Sequence, residues 1–220
     1  MRYFPRLTAI DEQEAVRYAG APDKSVYAPA VVAGICREVL LMIEPAACWE
    51  EYAYRPEARL VLATPAYALP SCDLARHLGG AEQVAVLAVT IGEAVEAFSR
   101  RLFAEGRYSE ALLAEGAASA AVEQAADQLC AHLERQYRQQ GLVLTSRFSP
   151  GYGDWQLDEQ PAALQLAKGE AIGVSLTKSL MLTPKKSITA IVGWRQAQGT
   201  PARTFGCAAC DKLDCTMRKG

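Results

Sequence analysis

Up to Gly141 the apolar positions fall mainly at helical spacing, and beyond it they gather into short β-branched runs. Ile10 to Ala19 reads as a short helix with Asp11 and Glu12 in its opening turn. Between Ala28 and Ile43, Val32, Ile35, Val39 and Met42 lie on one helical face, and Pro45 stops the run. "RLVLAT" (Arg59 to Thr64) is compact and apolar, bounded by Pro65, and reads as a strand. Ser71 then offers a helix cap, with Gly79 and Gly80 as the stop. "VAVLAV" (Val84 to Val89) reads as a buried strand that runs into "TIGEAVEAFSRRLFAEG". There Thr90 and Glu93 have capping-box spacing, and Ile91, Val95, Phe98 and Leu102 mark one apolar face that Gly106 closes. A long helix is expected from Glu110 to about Gln140, stopped by Gly141. Its middle, "AEGAASAAVEQAA", is almost all small residues, so another backbone or a ligand can come close. Close helix packing accounts for most of those alanines.

After Gly141 come strands and loops: "LVLTSR", "EAIGVSLT" and "KSITAIVGW". Helices and strands mix without the regular alternation of a doubly wound sheet, which points to an α+β fold: a mixed, largely antiparallel sheet with helices packed on it. No GxGxxG and no Walker loop is present, and no internal repeat. A boundary near Gly199-Thr200-Pro201 divides residues 1–200 from a cysteine-rich tail, 201–220, which has little capacity to build a core.

Composition narrows the function. Of 220 residues, 50% are hydrophobic and 22% charged, as in an ordinary globular domain, and the formal net charge is −2. Lys and Arg are scattered, so the basic footprint of a nucleic-acid binder is missing. The N-terminal stretch has no apolar segment of signal-peptide length, and no run approaches a membrane span, so a cytoplasmic protein is expected. In that setting seven cysteines argue for buried thiols and a metal site rather than a disulfide framework. Cys36, Cys48, Cys72 and Cys130 sit singly among apolar neighbours, whereas Cys207, Cys210 and Cys215 are bunched at the end.

Three stretches carry candidate chemistry. In "TSRFSPGYGDWQL" (Thr145 to Leu157), Pro150 fixes its own φ and extends Ser149, while Gly151 admits angles closed to other residues. A backbone held so can present N–H groups to a ligand. Arg147 suits a carboxylate or phosphate, Tyr152 and Trp155 offer aromatic faces, and Asp154 can receive an ammonium. Together they fit a zwitterion bearing a carboxylate, an amine and an aromatic base; a plain turn with Arg147 in solvent is the competing reading. In "SLMLTPKKSITAIVG" (Ser179 to Gly193), a turn at Thr183 to Lys186 leads into a strand, with Lys185 or Lys186 available to an anion, although spacing alone gives only a hairpin. In the tail, Cys207, Cys210 and Cys215 suit zinc or an iron–sulfur cluster, and exposed redox-active thiols are the alternative. A zinc site would need a fourth ligand from Asp211, Asp214, Cys72 or water. No nucleophile set stands out, and His77 and His132 read as structural.

Taken in order, these stretches resemble a known family. "RFSPGYGD" is similar to the Arg-x-x-x-Gly-Tyr signature of the S-adenosylmethionine-binding activation domain of cobalamin-dependent methionine synthase, and "SLMLTPKKSITAIVG" to a later segment of that domain. The "TIG" at Thr90, "AVEQAADQL" and the closing CxxCxxxxCxxR resemble stand-alone members; the resemblance runs from about Glu38 to Arg218. It implies binding of S-adenosylmethionine and use of its methyl group in the reductive reactivation of cob(II)alamin. Arg147 matches the arginine that would hold the methionine carboxylate, and Gly151 and Tyr152 match the Gly-Tyr lining the ligand. Ser149 and Pro150 would supply backbone contacts. Glu123 is the candidate for the amino group, with Asp154 competing. The chain has no Asp-x-His-x-x-Gly cobalamin motif, so the cobalamin would be carried by a partner, a corrinoid-binding methyltransferase or methionine synthase subunit. The cysteine tail, absent from the full-length enzyme's domain, would replace or assist an electron donor such as a flavodoxin or ferredoxin. A non-enzymatic metal-binding accessory protein is the second expectation.

Overall fold

The structure is a computed structural model and describes residues 1–20 and 26–196. Its order is β1 (Arg2–Tyr3), α1 (Glu12–Tyr18), α2 (Pro29–Met42), β2 (Ala46–Arg55), β3 (Leu60–Val61), β4 (Tyr67–Ala68), α3 (Cys72–Leu78), β5 (Gln83–Thr90), α4 (Ala94–Ala104), α5 (Tyr108–Tyr137), β6 (Leu142–Leu144), α6 (Gln160–Ala167), β7 (Ser175–Leu176), β8 (Leu182–Thr183) and β9 (Ser187–Gln196). Seven of the strands form one sheet in the order β4-β3-β2-β5-β9-β6, with β1 sharing an edge of β2 with β3; β7 and β8 make a separate pair. Every pairing among the described residues is antiparallel. The α+β fold with helices packed on an antiparallel sheet is thus the observed one.

The centre is β5. Val84 to Thr90 are all buried, and the strand is flanked along its whole length by β2 and β9. Because side chains alternate across a strand, both faces need a cover. Ala85, Leu87 and Val89, joined by Trp49, Val192 and Trp194, meet α1, α2, α4 and α5. Val84, Val86 and Ala88, joined by Cys48 and Ile191, meet α3, α6 and Trp155.

The expected helices appear, with instructive differences. Asp11 caps α1 by accepting from the Gln13 and Glu14 amides, and Ser71 Oγ accepts from the Leu74 amide of α3. The capping box at Thr90 does not form: α4 begins at Ala94 without a side-chain cap, and Thr90 Oγ1 accepts from Gly92 instead. The apolar face read there is nonetheless buried at Ile91, Val95, Phe98 and Leu102. Only Leu60 and Val61 of Arg59–Thr64 pair as a strand. β2 was not expected because Glu50 and Glu51 interrupt its apolar pattern, yet both find partners: Glu50 with Lys168, Glu51 with Trp49 and Tyr137. α6 escaped notice because its eight residues carry little more than two turns of periodicity. The expected boundary at Gly199–Pro201 lies outside the described residues.

The small residues of α5 serve packing. A Cβ on Gly116 would stand 2.2 Å from the Ala15 carbonyl oxygen and 2.7 Å from the Ala19 nitrogen, so α1 crosses there on bare backbone. Gly116→Ala gains about 1 kcal/mol of helix propensity, but it pushes two backbones apart. Equilibrium denaturation is expected to show a net loss of stability, because overpacking a tight site costs about 1–3 kcal/mol; an unchanged or higher midpoint would contradict the crossing.

Candidate functional site

The stretch after β6 continues the sheet with one residue too many. Leu144 pairs with Trp194, and the Thr145 amide donates to the Gly193 carbonyl at 2.8 Å, answered by Gly193 N–H to Thr145 Oγ1 at 3.0 Å. Phe148 then exchanges bonds of 3.0 and 2.8 Å with Ile191. Val192 alone therefore faces both Ser146 and Arg147, which is a β-bulge. The extra residue reverses the alternation beyond it. Without it Arg147 would have pointed to the α3 side and Phe148 to the α5 side. With it, Arg147 reaches α5, and Phe148 packs among His77, Tyr152 and Trp155.

On α5 the guanidinium meets two carboxylates one turn apart. Arg147 Nη2 donates to Glu123 Oε2 at 2.6 Å and Nη1 to Asp127 Oδ1 at 2.6 Å, with Cys130 Sγ 3.8 Å from Nη1. The Arg147 side chain is only 12% exposed. Burial works against its charge, but Cys130, Glu123 and Asp127 outweigh that and hold its pKa above the usual value. Arg147 is therefore a fixed cation in a carboxylate clamp, not an arginine in solvent. The structure brings Glu123, the candidate for a ligand's amino group, onto Arg147 itself. Asp127 was missed, although its signal was the simplest one: it lies four residues beyond Glu123 on the same helical face.

The polar stripe extends along α5. Lys186, at the entrance to β9, contacts the Glu115 carboxylate at 2.9 Å and Ser119 Oγ at 3.0 Å. Burial works to raise the pKa of Glu115, and the Lys186 ammonium outweighs it, so the value is lowered. Glu115, Ser119, Glu123 and Asp127 thus run at four-residue intervals over about 18 Å of helix, held at one end by Lys186 and at the other by Arg147.

The rest of the loop is partly spent on the fold. Gly151 adopts φ +93°, a conformation favouring glycine, and its amide donates to the Trp155 carbonyl at 2.7 Å. The Tyr152 amide donates to the Ser149 carbonyl at 3.0 Å, and the Trp155 amide to Tyr152 at 2.9 Å. These N–H groups close the turn rather than presenting themselves outward. Pro150 is buried beside them. Trp155 is 1% exposed and belongs to the core, so the aromatic surface left at this loop is Tyr152, 56% exposed. Asp154 is also reassigned. Its carboxylate accepts from Ser71 Oγ and from the amides of Cys72 (2.9 Å) and Asp73 (3.1 Å), which makes it a cap on α3 rather than an ammonium acceptor beside Arg147.

Lys185 presents its amide to Glu96 at 2.8 Å. His132 stacks on Tyr3 and edges Trp49, and His77 Nε2 lies 2.7 Å from the Ser146 carbonyl oxygen, bracing the bulge. Of the single cysteines, Cys36, Cys48 and Cys130 are buried, and burial pushes the thiols of Cys36 and Cys48 up to about 11. Cys72 departs from expectation: it is exposed, with Arg59 Nη1 3.0 Å from its sulfur. Cys207, Cys210 and Cys215 lie outside the described residues. Among the described residues no group of His, Cys, Asp and Glu is arranged to hold a metal, and no helix is long and apolar enough to cross a membrane.

No family model matches the chain, and no curated protein does. Among solved structures it is similar to the MetH reactivation domain bound to AdoHcy, with a TM-score of 0.55 and 16% sequence identity. The match covers 79% of this chain and 65% of that one. At that identity the likeness is one of fold: the α+β architecture built here on β5 recurs in the reactivation domain.

The Asp154 cap gives a pH test. Its pKa is lowered, first by the Ser71 hydroxyl and then by the α3 amides. A depressed carboxylate contributes stability above its unfolded value of about 3.9 and loses it as pH falls through the folded value. Asp154→Asn is expected to lower the melting temperature at pH 7 and to flatten the loss of stability below about pH 4. Parallel melting curves for the two proteins across that range would contradict the cap.

Proposed function

We propose that this chain binds S-adenosylmethionine at Arg147 and acts as a stand-alone reactivation component, supporting reductive methylation of cob(II)alamin carried by a separate corrinoid-binding methyltransferase or methionine synthase subunit. The observation that carries the reading is the bulge that turns the arginine of "RFSPGY" onto Glu123 and Asp127. A guanidinium flanked by carboxylates offers both charges that an α-amino acid end requires. The fold likeness to a domain seen with AdoHcy supports the same choice.

In this reading Arg147 holds the ligand carboxylate and Glu123 accepts its ammonium. Tyr152 offers an aromatic face beside the turn, and Ser149, Pro150 and Gly151 supply the backbone against which the ligand lies. Bound S-adenosylmethionine supplies an activated methyl group, and its transfer to reduced cobalt needs no proton from the protein. The protein's part is orientation and charge. For the tail, Cys207, Cys210 and Cys215 would bind an iron–sulfur cluster or zinc, and a cluster would pass electrons from a flavodoxin- or ferredoxin-like donor.

Calorimetric titration is expected to show micromolar binding of S-adenosylmethionine. Arg147→Ala is expected to weaken it by at least a hundredfold, as for loss of one partner of a desolvated charge pair, with circular dichroism confirming the fold. Absence of heat at millimolar ligand would end the proposal. For the tail, anaerobic reconstitution with iron and sulfide is expected to give a visible charge-transfer spectrum that is lost in Cys210→Ser. A colourless protein holding stoichiometric zinc would remove the electron-transfer role and favour a metal-binding accessory function.

A further inference from the structure

Arg147 sits between carboxylates of unequal exposure: the Glu123 side chain is 37% exposed and that of Asp127 is 61% exposed. Each Nη carries two N–H groups and gives one of them to a carboxylate at 2.6 Å, so a ligand carboxylate that approaches the buried guanidinium along the same line takes the place of one of these groups. Returning to water costs least for the group already mostly in it. Asp127 can leave Nη1 by a side-chain rotation on the surface of α5, whereas Glu123 lies deeper against Nη2. We propose that Asp127 is a placeholder, occupying the position of the ligand carboxylate on Arg147 and yielding it on binding, while Glu123 stays to receive the ligand's α-ammonium. The inference rests on the S-adenosylmethionine reading and adds to it a residue that sets selectivity.

The charge balance explains the selectivity. A plain carboxylate that displaces Asp127 exchanges one anion for another on the same nitrogen and gains little. A zwitterion makes the same exchange and also places an ammonium against Glu123, so the ligand gains a second ion pair while the displaced Asp127 carboxylate returns to water. Asp127 thereby raises the threshold for binding, and only a ligand with both charges on one carbon has the additional contact that overcomes it. Its removal acts with the opposite sign to the loss of a ligand contact.

That sign is the test. S-adenosylmethionine is titrated by calorimetry into the wild type, Asp127→Asn and Glu123→Gln, with thermal melts confirming that each is folded. Asp127→Asn is expected to bind about threefold to fivefold more tightly, the range set by release from an exposed ion pair, and Glu123→Gln to bind more weakly. An analogue of S-adenosylhomocysteine lacking the α-amino group is expected to bind the wild type poorly and to gain from Asp127→Asn. Wild-type binding with Asp127→Asn equal or weaker would overturn the placeholder and leave the ligand assignment standing. Binding by Asp127→Asn alone would support the placeholder strongly. No binding by either protein would sink the ligand assignment and the placeholder with it.

Discussion

A central strand with no polar position from Val84 to Val89 has to be covered on both faces, and that requirement organises this molecule. It draws α1, α2, α4 and α5 to one side and α3, α6 and Trp155 to the other. It also fixes β2 and β9 as neighbours over eight residue pairs each. Once β9 is fixed, whatever pairs with its outer edge is positioned relative to α5. The candidate site lies at that edge because β6 and the loop after it are the segment that pairs there.

The bulge at Ser146-Arg147 turns this framework into chemistry. A buried guanidinium needs compensating carboxylates, and removing it from water without them would cost several kcal/mol. The register reversal brings Arg147 to the carboxylates that α5 supplies at Glu123 and Asp127. The same reversal sends Phe148 into the other core, where the aromatic cluster and His77 pin the loop from behind. One inserted residue thus sets both the electrostatics and the rigidity of the site.

Much of the fold was legible where one physical signal dominated. The apolar runs of β5 and β9, the periodic faces of α2 and α4, and the cap at Ser71 all depend on local sequence alone. β2 was hidden because its two glutamates are satisfied by residues distant in the chain, Lys168 and Tyr137. Asp154 was misread for a related reason: an aspartate in a loop looks available until the fold carries the first turn of α3, some eighty residues away in sequence, onto it. Arg147 stood out first by its chemistry beside Pro150 and Gly151 and then by its likeness to a signature, whereas Glu123 rested on that likeness alone. The bulge that unites them depends on counting pairs against β9, which no local pattern reveals.

The central claim, that the Arg147 bulge and the α5 stripe form the S-adenosylmethionine site, is tested most directly by amide chemical-shift mapping on isotope-labelled protein. Titration with the ligand should shift Glu123, Asp127, Arg147, Phe148, Ser149, Gly151 and Tyr152 together, with one common saturation curve. Shifts that leave these residues still and cluster elsewhere, for instance along the surface groove lined by Thr8, Ile10, Arg37 and Leu40, would contradict the account.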